Sequence, residues 1–426
     1  MSARTVRGPG GVFRARLRVP GDKSLSHRAL LLAGMARGES ELQGLGPGRD
    51  VQSTKRLLEA LGVQVGEGWV RSGGVDLWEA PATELDAGNS ATTVRLMAGA
   101  LAGRSFTSTL VGDDSLMARP MDRLAGPLEA LGARVWVSEG GTPPVVVGGS
   151  GPLHGAEVWI AVASAQVRSA VELAALQAEG ESLVDSPPGF RDHTERWLAA
   201  LGLGERRSAT AFRVVPGRVP PASYPIPGDP SSAAFLWAAA ALVPGAEVLV
   251  EQVSLNPGRT GFCEVLEHMG VEVETRHTGE VHGDPVGDVR VRGAPLSGTA
   301  VDGELATRSL DELPLVAVLA GCAEGPTTIG DAGELRVKES NRITTAVNMV
   351  RALGGEAHET HDGFVVGGGR IYRGGTVEAG GDHRIAMAAA VAASASTGPV
   401  TIEGAQAAEV SWPGFYEALE GVWSSP

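Results

Sequence analysis

Cysteine is almost missing from this chain. Cys263 and Cys322 are the only two, which excludes a disulfide framework and a paired-cysteine metal signature and points to a reducing compartment. Aromatic residues make up only 4%, so the core has to be built from Ala, Val and Leu, with 60 Gly and 26 Pro marking many tight turns. No run approaches the roughly 18 apolar residues that cross a bilayer, and the cationic N-terminus has no apolar signal core; a cytoplasmic protein is expected. Cations are in the minority too. A formal net charge of −14 argues against general nucleic-acid or anionic-membrane binding, so any anion site must be a local basic cluster. The phosphate-binding loop, the dinucleotide glycine fingerprint and the serine-hydrolase elbow are all lacking. His358 and His361 have no further ligands at metal spacing, so neither metal nor cofactor is expected.

What is present begins at Pro20-Gly21-Asp22-Lys23-Ser24-Leu25-Ser26-His27-Arg28. This reads as a turn entering a helix, with Asp22 and Ser24 suited to cap its open N–H groups. Lys23, Ser24, Ser26, His27 and Arg28 then place cations and hydroxyls where the helix dipole is already positive. Such a start is unfavourable for folding alone and suits an anion.

The chain repeats that design six times. A Gly/Asp/Asn/Ser turn opens an Ala/Leu-rich helix, a β-like run follows, and an amphipathic helix closes on glycine. The openings lie near Gly21, Gly88, Ala163, Gly228, Asp311 and Gly381, roughly 65 to 80 residues apart, too long and irregular for a solenoid. In closing helices, apolar residues fall at helical spacing: Leu57, Leu58, Leu61; Leu124, Leu128, Leu131; Val265, Leu266, Met269; Val347, Val350, Leu353. The runs ARVWV, PVVVGG, DVRVRG and GFVVGG read as paired strands. Six such units suggest two domains of three, divided at the Pro-rich stretch 219–227. The expected lobes are 21–227, and 1–20 with 228–426, the chain crossing near 20 and 228. A cleft between two lobes suits a small anionic ligand.

Five of the six repeats offer cations or acids near a helix start: Lys23 and Arg28; Asn89, Thr92, Arg95 and Arg119; Ser164, Gln166, Arg168 and Arg191; Asp311 and Glu312 with Lys338, Glu339 and Arg342; His383 and Arg384. Guanidinium groups bind phosphate or carboxylate through forked hydrogen bonds, and lysine adds a mobile point charge. Singly, each has an ordinary structural explanation. Lys338, Glu339 and Arg342 also fit an exposed helix face, and His383 also fits a satisfied buried histidine.

Together PGDKSLSHRALLLAG, DAGNSATTVRLMAG, ASAQVRSAVELA, RDHTERWL, GDPSSAAF, DELPLVAV, RVKESNRI and GDHRIAMA resemble the 5-enolpyruvylshikimate-3-phosphate synthase family over nearly the whole chain. The resemblance implies an α/β (α+β) fold of two similar lobes, each of three βαβαββ units in a pseudo-threefold arrangement, with the active site in the interlobe cleft. It implies enolpyruvyl transfer from phosphoenolpyruvate to the 5-hydroxyl of shikimate 3-phosphate, releasing phosphate; nothing in the sequence suggests an obligate partner or a cofactor, and a monomer is expected. It assigns Lys23, Ser24, Arg28, Ser164, Ala165, Gln166, Arg191, Asp311 and Lys338 to shikimate 3-phosphate. Phosphoenolpyruvate falls to Lys23, Asn89, Ala91, Arg95, Arg119, Gln166, Arg342 and Arg384. Asp311 is read as base, Glu339 with Lys23 as the proton-transfer group at the methylene, and His383 as assisting phosphate departure or positioning Glu339.

Four departures stand out. Ala91 replaces a glycine common in the family, as in glyphosate-tolerant members. Ala165 and Arg191 follow the subgroup carrying RDHTE, and Val410-Ser411-Trp412-Pro413 lacks a lysine found in some members. The alternatives are the UDP-N-acetylglucosamine enolpyruvyl transferase, whose loop cysteine is lacking between Gly112 and Asp122, an inactive scaffold, and a module that binds without turnover.

Overall fold

A computed structural model describes residues 2–149 and 151–425. The chain divides into two compact units, one of Gly21–Pro227 with Glu280–Asp284, the other of Met1–Pro20, Gly228–Gly279 and Pro285–Pro426.

The first unit holds three four-stranded sheets built alike. In one, Leu85–Asp86 runs parallel to Thr107–Val111, which pairs antiparallel with Val145–Gly148, and Val135–Trp136 closes the edge. Glu157–Trp159, Ser182–Asp185, Phe212–Val214 and Gly204–Arg206 repeat that order, as do Ser223–Pro225, Arg37–Gln43, Trp69–Gly73 and Gln64–Gly66. The second unit repeats the pattern in Ala300–Val301, Thr327–Ile329, Phe364–Val366 and Ala357–Glu359. Its N-terminal strands join late ones: Ala3–Val6 pairs with Val400–Glu403, and Arg14–Leu17 with Glu247–Ser254.

Two kinds of helix pack on these sheets. The closing helices are amphipathic, and every apolar residue named above for them is buried. They stop at Gly62, Gly132, Gly270 and Gly354, all at positive φ, a conformation that costs glycine least. The opening helices are buried nearly all round. In Pro230–Ala241 all twelve residues are inside, and alanine makes this possible by leaving little bulk to fit. Ala91–Leu101 and Ala165–Ala175 approach so closely that a Cβ on Gly99 would lie 2.0 Å from the Ala170 carbonyl oxygen.

The opening helices are fixed at their N-termini. Asp22 accepts from the Leu25 N–H at 2.9 Å, Ser90 from Thr93 at 3.2 Å and Ser164 from Val167 at 3.4 Å. Asp229 accepts from Ser231 at 2.8 Å and Asp382 from Arg384 at 2.9 Å. Leu313–Cys322 instead continues the 3-10 turn Leu310–Glu312, with Pro314 in its first turn.

Candidate active site

In the first unit, the candidate side chains gather at three capped helix starts. Lys23 opens Lys23–Met35, and its Nζ donates to Asp50 Oδ2 at 3.1 Å. Ser24 lies inside that helix, so Asp22 alone is the cap. Arg28, one turn on, is buried. It donates to the Ser24 carbonyl at 2.9 Å, Thr194 Oγ1 at 2.7 Å and Ser169 Oγ at 2.8 Å, which occupies three of its five N–H groups. His27 adds no charge: burial first, then the Lys23 and Arg28 cations, pushes its pKa well below the usual value, and Nδ1 bonds Thr54 Oγ1 at 2.7 Å.

The second and third helix starts share one polar network. Arg95 donates to Gln166 Oε1 at 2.5 Å and to the Pro120 carbonyl at 2.9 Å, while Gln166 Nε2 donates to Thr92 Oγ1 at 2.8 Å. Arg119 donates to Asn89 Oδ1 at 2.7 Å, and Asn89 Nδ2 donates to both Asp113 oxygens at 2.9 Å. Ala91 is the first residue of Ala91–Leu101, and Ala165 the first of Ala165–Ala175. Ser164 caps the latter through an acceptor lone pair, which leaves its O–H able to donate. Arg191 is half-buried, just before His193–Ala200.

One cation is placed otherwise. Arg168, read above as aimed at a ligand, is only 1% exposed and donates to Glu195 Oε1 at 2.7 Å. Helical phase turns it inward, two residues past Gln166.

In the second unit, Asp311, Glu339 and Asp382 surround Arg342. The guanidinium lies 3.4 Å from Asp311 Oδ1, 2.5 Å from Glu339 Oε2 and 2.8 Å from Asp382 Oδ2. Burial works against its charge, but the Asp382, Glu339 and Asp311 carboxylates outweigh burial and raise its pKa. Glu339 and Arg342 therefore form an i,i+3 pair on a buried side, not on an exposed helix face. Lys338 Nζ stands 4.0 Å from Asp311 Oδ1, and Arg384 reaches Asp311 Oδ2 at 3.9 Å and Glu312 Oε1 at 3.2 Å. His383, 2% exposed, begins His383–Ala392 beside the Asp382 cap.

Sequence reading missed the acids that hold these cations. Asp50 lies 27 residues from Lys23, and Asp113 lies 24 from Asn89; no local pattern links such pairs. Asp382 was legible only as part of the turn opening at Gly381. Among the described residues, no three His, Cys, Asp or Glu side chains group to hold a metal, and no helix is long and apolar enough to cross a membrane. Burial pushes the Cys263 and Cys322 thiols up to about 12.

The arrangement can bind a small polyanion through several forked cations and present half-buried carboxylates for proton transfer. Comparison with known proteins gives the family. A family model described as EPSP synthase (3-phosphoshikimate 1-carboxyvinyltransferase) matches residues 8–419. The 3-phosphoshikimate 1-carboxyvinyltransferase of Alkalilimnicola ehrlichii is 44% identical over 415 residues, covering 96% of this chain and 93% of its own. That of Desulfitobacterium hafniense is 42% identical over 423 residues, covering 98% and 97%. The EPSP synthase structure from Acinetobacter baumannii has a TM-score of 0.87 at 36% identity, covering 99% of this chain and 98% of that one. The enolpyruvyl transferase NikO from Streptomyces tendae shares the fold, with a TM-score of 0.77 at 17% identity over 98% and 96% of the two chains.

Proposed function

The chain belongs to the EPSP synthase family, and from that premise we propose that it transfers the carboxyvinyl group of phosphoenolpyruvate to the 5-hydroxyl of shikimate 3-phosphate, on the route to chorismate and the aromatic amino acids. The observation that carries the reading is the family match over 8–419, in a chain whose matching motifs supply the cations and carboxylates the chemistry needs.

The reaction is an addition followed by an elimination. The 5-hydroxyl attacks C2 while C3 gains a proton, giving a tetrahedral ketal phosphate. The C2–O bond to phosphate then breaks as the new methyl group returns a proton. Asp311 takes the hydroxyl proton as general base, with Lys338, Arg342 and Arg384 standing beside it. Glu339, with Lys23, moves the proton at C3, and His383 positions Glu339 or assists phosphate departure.

Arg95, Arg119, Arg342 and Arg384, with Lys23, Asn89, Ala91 and Gln166, hold the phosphate and carboxylate of phosphoenolpyruvate. Ser24, Arg28, Ser164, Ala165, Gln166, Arg191 and Lys338, with Lys23 and Asp311, hold shikimate 3-phosphate. Fixing both reactants removes most of the entropic barrier to their encounter, and aligned cations stabilise charge on the departing phosphate. In this reading the protein works as a monomer in the cytoplasm, without metal or cofactor. The UDP-sugar alternative lacks its catalytic loop cysteine, since residues 112–122 hold none.

Phosphate release from purified protein, given each substrate singly and then both, tests the assignment. Release only with both is expected; release from phosphoenolpyruvate alone, or none, contradicts it. Titrating glyphosate into the same assay tests Ala91, whose methyl narrows the phosphoenolpyruvate pocket. We expect weak inhibition by glyphosate and a marked gain in sensitivity in Ala91→Gly. Equal inhibition of both proteins would remove that role.

A further inference from the structure

Arg168 carries a buried charge that the reaction as derived does not use. Its Nε donates to Glu195 Oε1 at 2.7 Å and its Nη1 to Ser186 Oγ at 2.9 Å. Nη2 lies 3.7 Å from Glu172 Oε1, and the guanidinium carbon stands 4.0 Å from the centre of the Phe190 ring. Glu172 and Glu195 are 0% and 2% exposed. A buried guanidinium held by two acids, a hydroxyl and an aromatic face is fixed in both position and plane.

What it holds is a loop. Ser186 and Phe190 bracket Pro187-Pro188-Gly189, a stretch with neither helix nor strand, so no sheet or helix hydrogen-bond ladder fixes its path. Arg191 follows immediately. At its other end, Arg168 belongs to the helix that opens at Ser164 and Gln166. One side chain therefore ties the loop before Arg191 to the helix that carries two more candidate ligands.

We propose that Arg168 is a positioning residue: its guanidinium is the floor on which the 186–190 loop lies, and through Phe190 it sets the reach of Arg191 toward the phosphorylated acceptor. The inference rests on the functional reading above, in which Arg191 binds shikimate 3-phosphate. It concerns affinity for that acceptor and leaves phosphoenolpyruvate untouched.

Arg168→Lys keeps the charge but loses the fork and plane, and it risks misfolding. Phe190→Ala is the cleaner probe, because it removes the stacked ring without stranding a buried charge. The experiment is calorimetric titration of shikimate 3-phosphate into the full chain, with steady-state kinetics alongside. Phe190→Ala should raise the Kd about ten-fold, leaving kcat and the KM for phosphoenolpyruvate within about two-fold. Phe190→Tyr, which keeps the stack, should restore wild-type affinity. Because the effect passes through Arg191, Phe190→Ala should cost nothing further in an Arg191→Ala background.

A Kd unchanged in Phe190→Ala, or losses that simply multiply in the double variant, would overturn the role of Arg168 while leaving the functional reading intact. If the wild type fails to bind shikimate 3-phosphate at all, the functional reading falls first, and this inference with it.

Discussion

Arg342 meets three acids that differ in their access to water. The Asp382 side chain is 0% exposed, Glu339 15% and Asp311 17%. The difference separates a structural partner from a chemical one. Asp382→Ala takes from Arg342 its one fully buried acid, leaving Glu339 and Asp311, and removes a helix cap, so urea unfolding should show a loss of about 2–3 kcal/mol. Asp311→Asn leaves Arg342 its two nearer acids, and stability should change by less than about 1 kcal/mol. Its turnover should nevertheless fall at least about 100-fold, as for loss of a general base. Wild-type turnover in Asp311→Asn would remove the proposed base.

Glu172 gives a pH signature. Burial, then the Glu195 carboxylate, pushes its carboxyl well above the ordinary range, against the pull of Arg168. The folded chain therefore keeps a proton that the unfolded chain loses above about pH 4.5. The stability this contributes is complete below that pH and drains away as pH rises toward the raised pKa. Glu172→Gln cannot ionise. Its Tm relative to wild type should climb as the pH rises above about 4.5, whereas parallel Tm curves would contradict a shifted Glu172.

Among the elements, the closing helices were legible because an amphipathic helix repeats its apolar residues at 3.6-residue intervals. The opening helices give no such signal, being apolar on nearly every side, and their tight crossing hides in one residue. Gly99→Ala sets a methyl against the Ala170 backbone carbonyl, which cannot rotate away as a side chain would. A loss of about 3 kcal/mol is expected in denaturant unfolding. Gly126, on the helix Ala125–Glu129, has nothing within 4 Å of its added Cβ, and Gly126→Ala should stabilise by about 0.5 kcal/mol. Equal effects at the two sites would refute the close crossing. Sheet partners were the harder part. Leu85–Asp86 and Ser223–Pro225 are strands of two and three residues, too short to show alternation, and Ser223 pairs with Glu41 far back in the chain.

For the whole molecule, the repeated helix starts carried the reading. Asp311, Lys338, Glu339, Arg342 and Arg384 are scattered over more than 70 residues of sequence, yet lie together in the second unit. Their residue types and turn contexts were readable; their bonding was not. Lys23 and Arg168 look alike on paper, each a cation near a helix start. Only the fold leaves one partly exposed and paired with Asp50 and buries the other under Phe190.

The central claim is a transfer that passes through addition and elimination, and running the reaction in D2O tests it most directly. Addition delivers deuterium to C3, and elimination from the rotating methyl removes either isotope. The account predicts a carboxyvinyl ether whose methylene carries deuterium, formed in step with inorganic phosphate and only when both substrates are present. An ether with a wholly protiated methylene, or phosphate without any ether, would contradict it.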